Sequence, residues 1–273
     1  MKKENQSKQE ITKLKIIIPM TGYGSRFVAA GYKDLKPFIK VQGKPMIEWI
    51  VKGIYPNEKD FLFICRKEHL DKDPEMRKRL LELAPEGEIF EIDNWVKKGP
   101  VYDVLQASEK IDDNEQYIIN YCDFYMSWNY EKFKNEVTIR GSEGAIPCYT
   151  GFHPNLLPEK NYYASCLTDE NDDLIEIREK YSFEEDKQKA KHSPGVYYFK
   201  TGEILKKYCQ KLVESEDQAI NGEFYASLPY NFMVKDNLKV WIPTNVKKFC
   251  QWGTPEDLKE YLFWTETVKG MMK

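Results

Sequence analysis

A chain of 273 residues is long enough for one large α/β domain or two small ones, and it can bury roughly three-quarters of its unfolded surface without covalent staples. Its 41 Lys and Arg against 44 Asp and Glu leave a net charge of −3. That balance gives no basic field for wrapping nucleic acid, while a small anion held by a local cluster remains open.

Six cysteines without a CxxC pair, and only three histidines (His69, His153, His192), suggest neither a zinc site nor a disulfide framework. The thiols read as reduced and the chain as cytoplasmic. No apolar run approaches the ~18 residues that span a bilayer, so no membrane partner is expected. The amino terminus lacks the apolar stretch of a secretory signal. Residues 1–14 read as a flexible leader and 15–273 as a single domain, because no repeat, low-complexity stretch or linker divides the chain.

In chain order, Ile16 to Pro19 is a short β-branched run of the kind found in strands covered on both faces. Met46, Ile47, Ile50 and Ile54 fall at helical spacing, and Phe61 to Cys65 reads as a second buried strand. Asp73-Pro74 is expected to cap a helix carrying Met76, Leu80, Leu83 and Ala84. Ile89 to Ile92, a helix over Val101 to Ala107, and Tyr117 to Tyr121 continue the alternation, which implies parallel pairing. The fourth strand ends at Cys122-Asp123, and the carboxyl ends of strands are where open α/β sheets place their ligands.

The second half changes character. Gly144 to Tyr149, Tyr162 to Thr168, Leu174 to Ile177 and Val196 to Phe199 read as short strands, with the turn-rich DENDD between two of them. Hairpin pairing is therefore expected to join the sheet and make it mixed. Helices follow over Glu203 to Val213 and after Thr254, where Thr-Pro-Glu-Asp combines a capping hydroxyl, an early proline and first-turn acids.

Chemistry concentrates in Met20 to Lys36. Gly22 and Gly24 free backbone N–H groups to face phosphate oxygens, while Arg26 and Lys36 supply fixed positive charge. A dinucleotide fingerprint would need a small residue where Phe27 stands, and a P-loop would need Gly-Lys-Ser/Thr closing a longer loop. A bare GxG after a strand is weak by itself; Arg26 and the Lys36-Pro37 step add weight.

With those residues in view, the sequence resembles the nucleotidyltransferases that activate sugar phosphates. Their signature of a G-x-G-x-R loop, a K-P step and a G-K-P-M-I helix start appears here as GYGSRF, KPF and GKPMIEW. The likeness runs roughly from Lys15 to Trp264. The segment 97–107 is similar to the one lying against the nucleobase, YIINYCDF to the strand whose aspartate binds magnesium, and LIEIREK to the segment whose Glu-Lys pair touches the acceptor. SPGVYYF is similar to a glycine strand bordering the acceptor, and QWGTPEDL to a closing segment that begins with a second metal-binding aspartate. Gln251 departs from that last pattern, since a carboxamide can ligate Mg²⁺ but brings no charge.

The resemblance implies a Rossmann-like, three-layer α/β fold of the GT-A type with a mixed, mostly parallel central sheet. It implies Arg26 and Lys36 as catalytic residues, and Met20, Thr21, Gly22, Tyr23, Gly24, Ser25, Gly99, Pro100 and Cys122 as nucleotide-binding. Tyr163, Glu179, Lys180 and Gly195 fall on the acceptor side, with Asp123 and Gln251 on Mg²⁺. The partners implied are CTP or another nucleoside triphosphate and a phosphorylated small molecule. YCDFYMSW, GFHP and QWGTPEDL are most similar to cytidylyltransferases of bacterial capsule and surface-polysaccharide loci, where phosphoglutamine is an acceptor. A sugar 1-phosphate uridylyl- or thymidylyltransferase is the alternative within the class, and a non-catalytic nucleotide-binding regulatory subunit the alternative outside it. Composition and spacing leave the nucleobase open. His153 and His192 read as turn-region hydrogen-bonders, because an ionised phosphate nucleophile needs no general base.

Overall fold

The computed structural model describes residues 13–272, so most of the expected leader lies outside the described residues. The first strand, β1 (Leu14–Pro19), takes in Leu14 and is buried along its whole length. After it come the short helix α1 (Ser25–Ala29), a small ribbon of β2 (Lys40–Val41) and β3 (Lys44–Pro45), and α2 (Met46–Glu48) running into a wider helical turn to Ile54. Then follow β4 (Phe61–Arg66), α3 (Lys67–Lys72), α4 (Glu75–Leu83), β5 (Glu88–Ile92), α5 (Pro100–Gln106), β6 (Gln116–Asn120), β7 (Phe124–Ser127) and α6 (Tyr130–Arg140). The remainder comprises β8 (Gly144–Ala145), β9 (Ser165–Thr168), β10 (Leu174–Arg178), β11 (Lys191–His192), β12 (Val196–Phe199), α7 (Gly202–Glu214), α8 (Pro229–Lys235), β13 (Val240–Trp241), β14 (Lys248–Gln251) and α9 (Pro255–Met271).

Seven strands form the central sheet in the order β13-β8-β12-β6-β1-β4-β5. Pairings β6·β1, β1·β4, β4·β5 and β13·β8 are parallel, and β12 runs antiparallel to both its neighbours. The sheet is therefore mixed and mostly parallel, as expected. Its two faces are covered separately. Ile16, Ile18, Phe61 and Phe63 point into one core, and Ile17, Leu62, Ile64 and Ile119 into another, so the period-two alternation of fully buried strands feeds two layers. The result is the three-layer α/β arrangement.

Three expectations are corrected. The strands flanking DENDD do not join the central sheet: β10 pairs with β9, and β9 with β11, in a separate three-stranded sheet. Pairing is local there because the turn connects neighbours, whereas the antiparallel member of the main sheet, β12, comes from a distant segment. Asp73 does not cap α4 with its side chain; that carboxylate pairs with Arg79 instead. The expected strand from Gly144 to Tyr149 shrinks to β8, with Tyr149 returning as an isolated bridge to His192. At α9 the expected signal is met in full, since Thr254 and Asp257 form a reciprocal capping box with Pro255 at the first position.

All three histidines are buried. Burial pushes His69 and His153 down to about 4 from an ordinary 6.5, and lowers His192 as well. A depressed imidazole pKa means that the unfolded chain takes up protons the native state refuses. Stability is then complete above about pH 6.5 and falls toward pH 4, by about 3 kcal/mol for each fully shifted group. Asp103, raised by burial to about 6, and Glu179, also raised by burial, oppose this within the same window, fewer groups than the three histidines. The melting temperature should drop between pH 7.5 and 4.5, with a shallower slope in His153→Gln. An unchanged slope in His153→Gln would show that this ring is protonated without cost.

Candidate functional site

The chain leaves β1 at Pro19 toward β4 and β5 on one side and returns through α5 to β6 on the other. The carboxyl ends of β1 and β6 therefore flank the point where strand order reverses, and a crevice opens there. The glycine loop fills its floor. Gly24 adopts a left-handed conformation (φ 60°), and its carbonyl accepts from the N–H groups of Phe27 and Val28 at 2.8 and 3.1 Å, which turns the chain into α1. A side chain there would also press on Lys36, whose Cβ would lie 3.2 Å from the added carbon. Lys36 opens the turn that buries Pro37, and its ammonium donates to Asp123 Oδ2 at 2.7 Å and to the Gly253 carbonyl at 3.1 Å. Three distant segments thus meet at one ammonium group.

Around the loop lies a cleft of about 340 Å³ whose wall includes Met20 to Arg26, Lys36, Gly99, Pro100, Cys122 and Asp123. Every residue assigned to the nucleotide by resemblance lies on this wall. Gly99 has φ 90°, and a Cβ there would sit 2.7 Å from the Phe224 N, so only glycine lets the 97–100 segment approach the chain at 223–225. The Cys122 thiol is pushed up to about 12 by burial and by Asp123, so it stays neutral.

Sequence reading missed part of this wall. Glu223 and Tyr225 reach it from a turn that carries no local signal beyond Asn221-Gly222, and Glu223 pairs with Lys97 at 2.6 Å. Trp95 and Asp103 also line it. The Trp95 indole N–H donates to Asp103 Oδ1 at 2.8 Å, and the Thr21 hydroxyl donates to Oδ2 of the same carboxylate. Behind them the Arg66 guanidinium lies 3.9 Å from the Tyr23 ring centroid and 4.6 Å from that of Trp95, which fixes the two aromatic side chains.

A second cleft of about 710 Å³ adjoins the first and shares Arg26, Tyr121, Asp123, Tyr225 and Gly253 with it. Tyr163, Glu179, Lys180, Gly195 and Gln251 all line it. Burial raises the Glu179 carboxyl above its usual range, opposed by the Ser227 hydroxyl that donates to it. Lys180 sits in a left-handed turn (φ 55°) with its ammonium 5.5 Å from the Tyr225 ring centroid. Gly195 (φ 108°) packs so closely that a Cβ would meet Tyr121 Cδ2 at 3.0 Å. Tyr163 receives a hydrogen bond at 3.0 Å from Asn155, which also donates to Asp257 at 2.9 Å, tying the start of α9 to this wall. His153 and His192 hydrogen-bond to backbone, through Asn155 N–H at 3.3 Å and the Lys187 carbonyl at 2.8 Å.

Asp123 and Gln251 arrive on the antiparallel ribbon β7·β14, where Gln251 pairs with Phe124 and the Trp252 N–H donates to the Asp123 carbonyl at 3.0 Å. A Cβ on Gly253 would lie 2.3 Å from Gln251 Nε2 and 3.4 Å from Asp123 Oδ2, so both side chains reach one spot. Among the described residues no group of three or more His, Cys, Asp or Glu side chains could enclose a metal. One carboxylate and one carboxamide do fit Mg²⁺ of the kind that keeps water and takes the rest of its ligands from substrate phosphate.

The chain matches no protein-family model and no curated protein sequence. Among solved structures it is similar to a nucleoside-diphosphate-sugar pyrophosphorylase from Vibrio cholerae RC9, with a TM-score of 0.72 and 20% identity over 91% of this chain and 99% of the other. It is also similar to the inositol-1-phosphate CTP transferase from T. maritima, at TM-score 0.66 and 13% identity over 92% and 94% of the two chains. A third is CTP:phosphocholine cytidylyltransferase from Streptococcus pneumoniae, at TM-score 0.63 and 17% identity over 93% and 99%. At these identities the likeness is one of fold, and it extends over nearly the whole of each chain.

Proposed function

We propose that this chain is a nucleotidyltransferase that moves a nucleoside monophosphate, CMP from CTP, onto a phosphorylated small molecule and releases pyrophosphate. The carrying observation is the convergence of two clefts on Arg26 and on Asp123, the carboxylate that pairs with Lys36. The glycine loop lines one cleft, where a nucleotide's phosphates would lie; the other carries Arg26, Lys160 and Lys180, suited to an acceptor phosphate.

An acceptor phosphate oxygen would attack the α-phosphorus, forming a new P–O bond as the bond to the β-phosphate oxygen breaks and pyrophosphate leaves on the opposite side. The nucleophile is already ionised, so the protein's work is alignment and charge neutralisation. Lys36, held in place by its bonds to Asp123 and Gly253, would give its remaining N–H to the α-phosphoryl oxygens, Arg26 would hold the departing pyrophosphate, and Lys180 would anchor the acceptor phosphate. Mg²⁺ on Asp123 and Gln251, when bound, supplies charge neutralisation of the triphosphate.

The acceptor cleft mixes Glu179 and Glu256 with Lys160, Lys180 and several tyrosines, a lining suited to a zwitterion as well as to a sugar. With the sequence resemblance to capsule-locus enzymes, this supports phosphoglutamine as acceptor and CDP-L-glutamine as product in surface-polysaccharide synthesis. The fold alone is equally compatible with a sugar 1-phosphate uridylyl- or thymidylyltransferase. Pyrophosphate release measured with CTP, UTP and dTTP against phosphoglutamine, phosphocholine and hexose 1-phosphates tests the reading. Nucleotide binding without release across that panel would instead indicate a regulatory subunit.

A further inference from the structure

We infer that Thr21 and Asp103 together select a nucleobase bearing an exocyclic amine, which among the pyrimidines is cytosine. The inference rests on reading the smaller cleft as the nucleotide site, and it concerns hydrogen-bond polarity within that site.

Asp103 is 2% exposed and held on α5 with its N–H donating to the Gly99 carbonyl at 3.3 Å. Indole nitrogen is a donor only, so the bond from Trp95 Nε1 commits Oδ1 as an acceptor. Oδ2 accepts the proton of the Thr21 hydroxyl. A threonine has one such proton, and with it directed at Asp103 the Thr21 oxygen offers its neighbours lone pairs alone. Thr21 and Asp103 therefore present adjacent acceptors to the cleft they both line, with no proton to give. Of the ammonium groups that line this cleft, Lys97 is paired with Glu223 and Lys36 with Asp123.

The 4-amino group of cytosine carries two N–H bonds and can satisfy two neighbouring acceptors. Uracil and thymine present a carbonyl oxygen at that position and a single imide N–H between two carbonyls, so one acceptor must face another. An unpaired or opposed polar group in a dehydrated pocket corresponds to about tenfold to a hundredfold in affinity.

The pair also makes a reversal possible. In Asp103→Asn only the amide oxygen can accept from Trp95, which aims the amide NH₂ at Thr21. The hydroxyl then accepts, and its own proton turns into the cleft as a donor for a carbonyl at position 4.

Calorimetric titration with CTP and UTP in the presence of Mg²⁺ tests this without requiring turnover. Wild-type protein should bind CTP at least tenfold more tightly than UTP. Thr21→Val should erase most of that ratio, Thr21→Ser should keep it, and Asp103→Asn should shift it toward UTP by at least tenfold. Equal binding by the wild type, a preference for UTP, or a full ratio in Thr21→Val overturns the inference. Should Thr21→Val not fold, the wild-type ratio and Asp103→Asn still decide it. Pyrophosphate release is scored separately: a CTP preference in binding with no release from any acceptor would sink the transferase reading and leave the base selection standing, whereas release with equal binding would do the reverse. Failure to bind either nucleotide would end both.

Discussion

Lys36→Ala should lower the rate constant of nucleotidyl transfer by roughly 30- to 1,000-fold, corresponding to about 2–4 kcal/mol of lost transition-state stabilisation. The scale follows from where the ammonium sits. Its three contacts are the Asp123 carboxylate, the Gly253 carbonyl and the face of Phe27 at 5.6 Å, so it is held rigidly beside the space between the two clefts. A donor fixed before the reaction stabilises developing charge without reorganising, whereas the freed carboxylate of Asp123 would repel the triphosphate. Arg26→Ala should fall on the same scale but with a larger rise in nucleotide KM, because Arg26 is exposed at the mouth shared by both clefts. Single-turnover pyrophosphate release separates the two behaviours. Turnover within tenfold of wild type in both variants would contradict the assignment.

The glycine loop, Lys36-Pro37 and the buried strand that ends at Asn120 and leads to Asp123 were legible in the sequence because their geometry is written locally. A buried β-branched run, a turn that needs φ above zero and a strand-end acid each leave a signature within a few residues. The chain fold followed from strand and helix alternation, with the capping box of α9 as its clearest single mark. Other parts depended on contacts between segments far apart. The ribbon β7·β14 joins residues more than a hundred positions apart, and it alone brings Gln251 beside Asp123. Glu223 and Tyr225 enter the nucleotide cleft only because Gly99 lets two loops touch, and nothing in either loop announces the other. Asp103 gave no signal either, since an aspartate inside an amphipathic helix ordinarily faces water. Burial between Thr21 and Trp95 is a product of the tertiary fold.

Asp123→Asn should reduce kcat/KM by more than 100-fold and raise the Mg²⁺ concentration for half-maximal activity, because it removes the one carboxylate of the site and also the partner that holds Lys36. The two losses can be told apart. Gln251→Asp adds a second carboxylate at the spot that both side chains reach beside Gly253, and in the wild-type background it should lower the Mg²⁺ requirement several-fold. In the Asp123→Asn background it restores charge to the metal but not to the position that Lys36 contacts at 2.7 Å. The double variant should therefore recover metal affinity, read as Mn²⁺ binding by paramagnetic resonance with nucleotide present, while kcat stays depressed. Recovery of both together would mean that Asp123 acts on the reaction through the metal alone. Recovery of neither, with Asp123→Asn itself within tenfold of wild type, would reduce Asp123 to a strand-end residue whose carbonyl anchors Trp252.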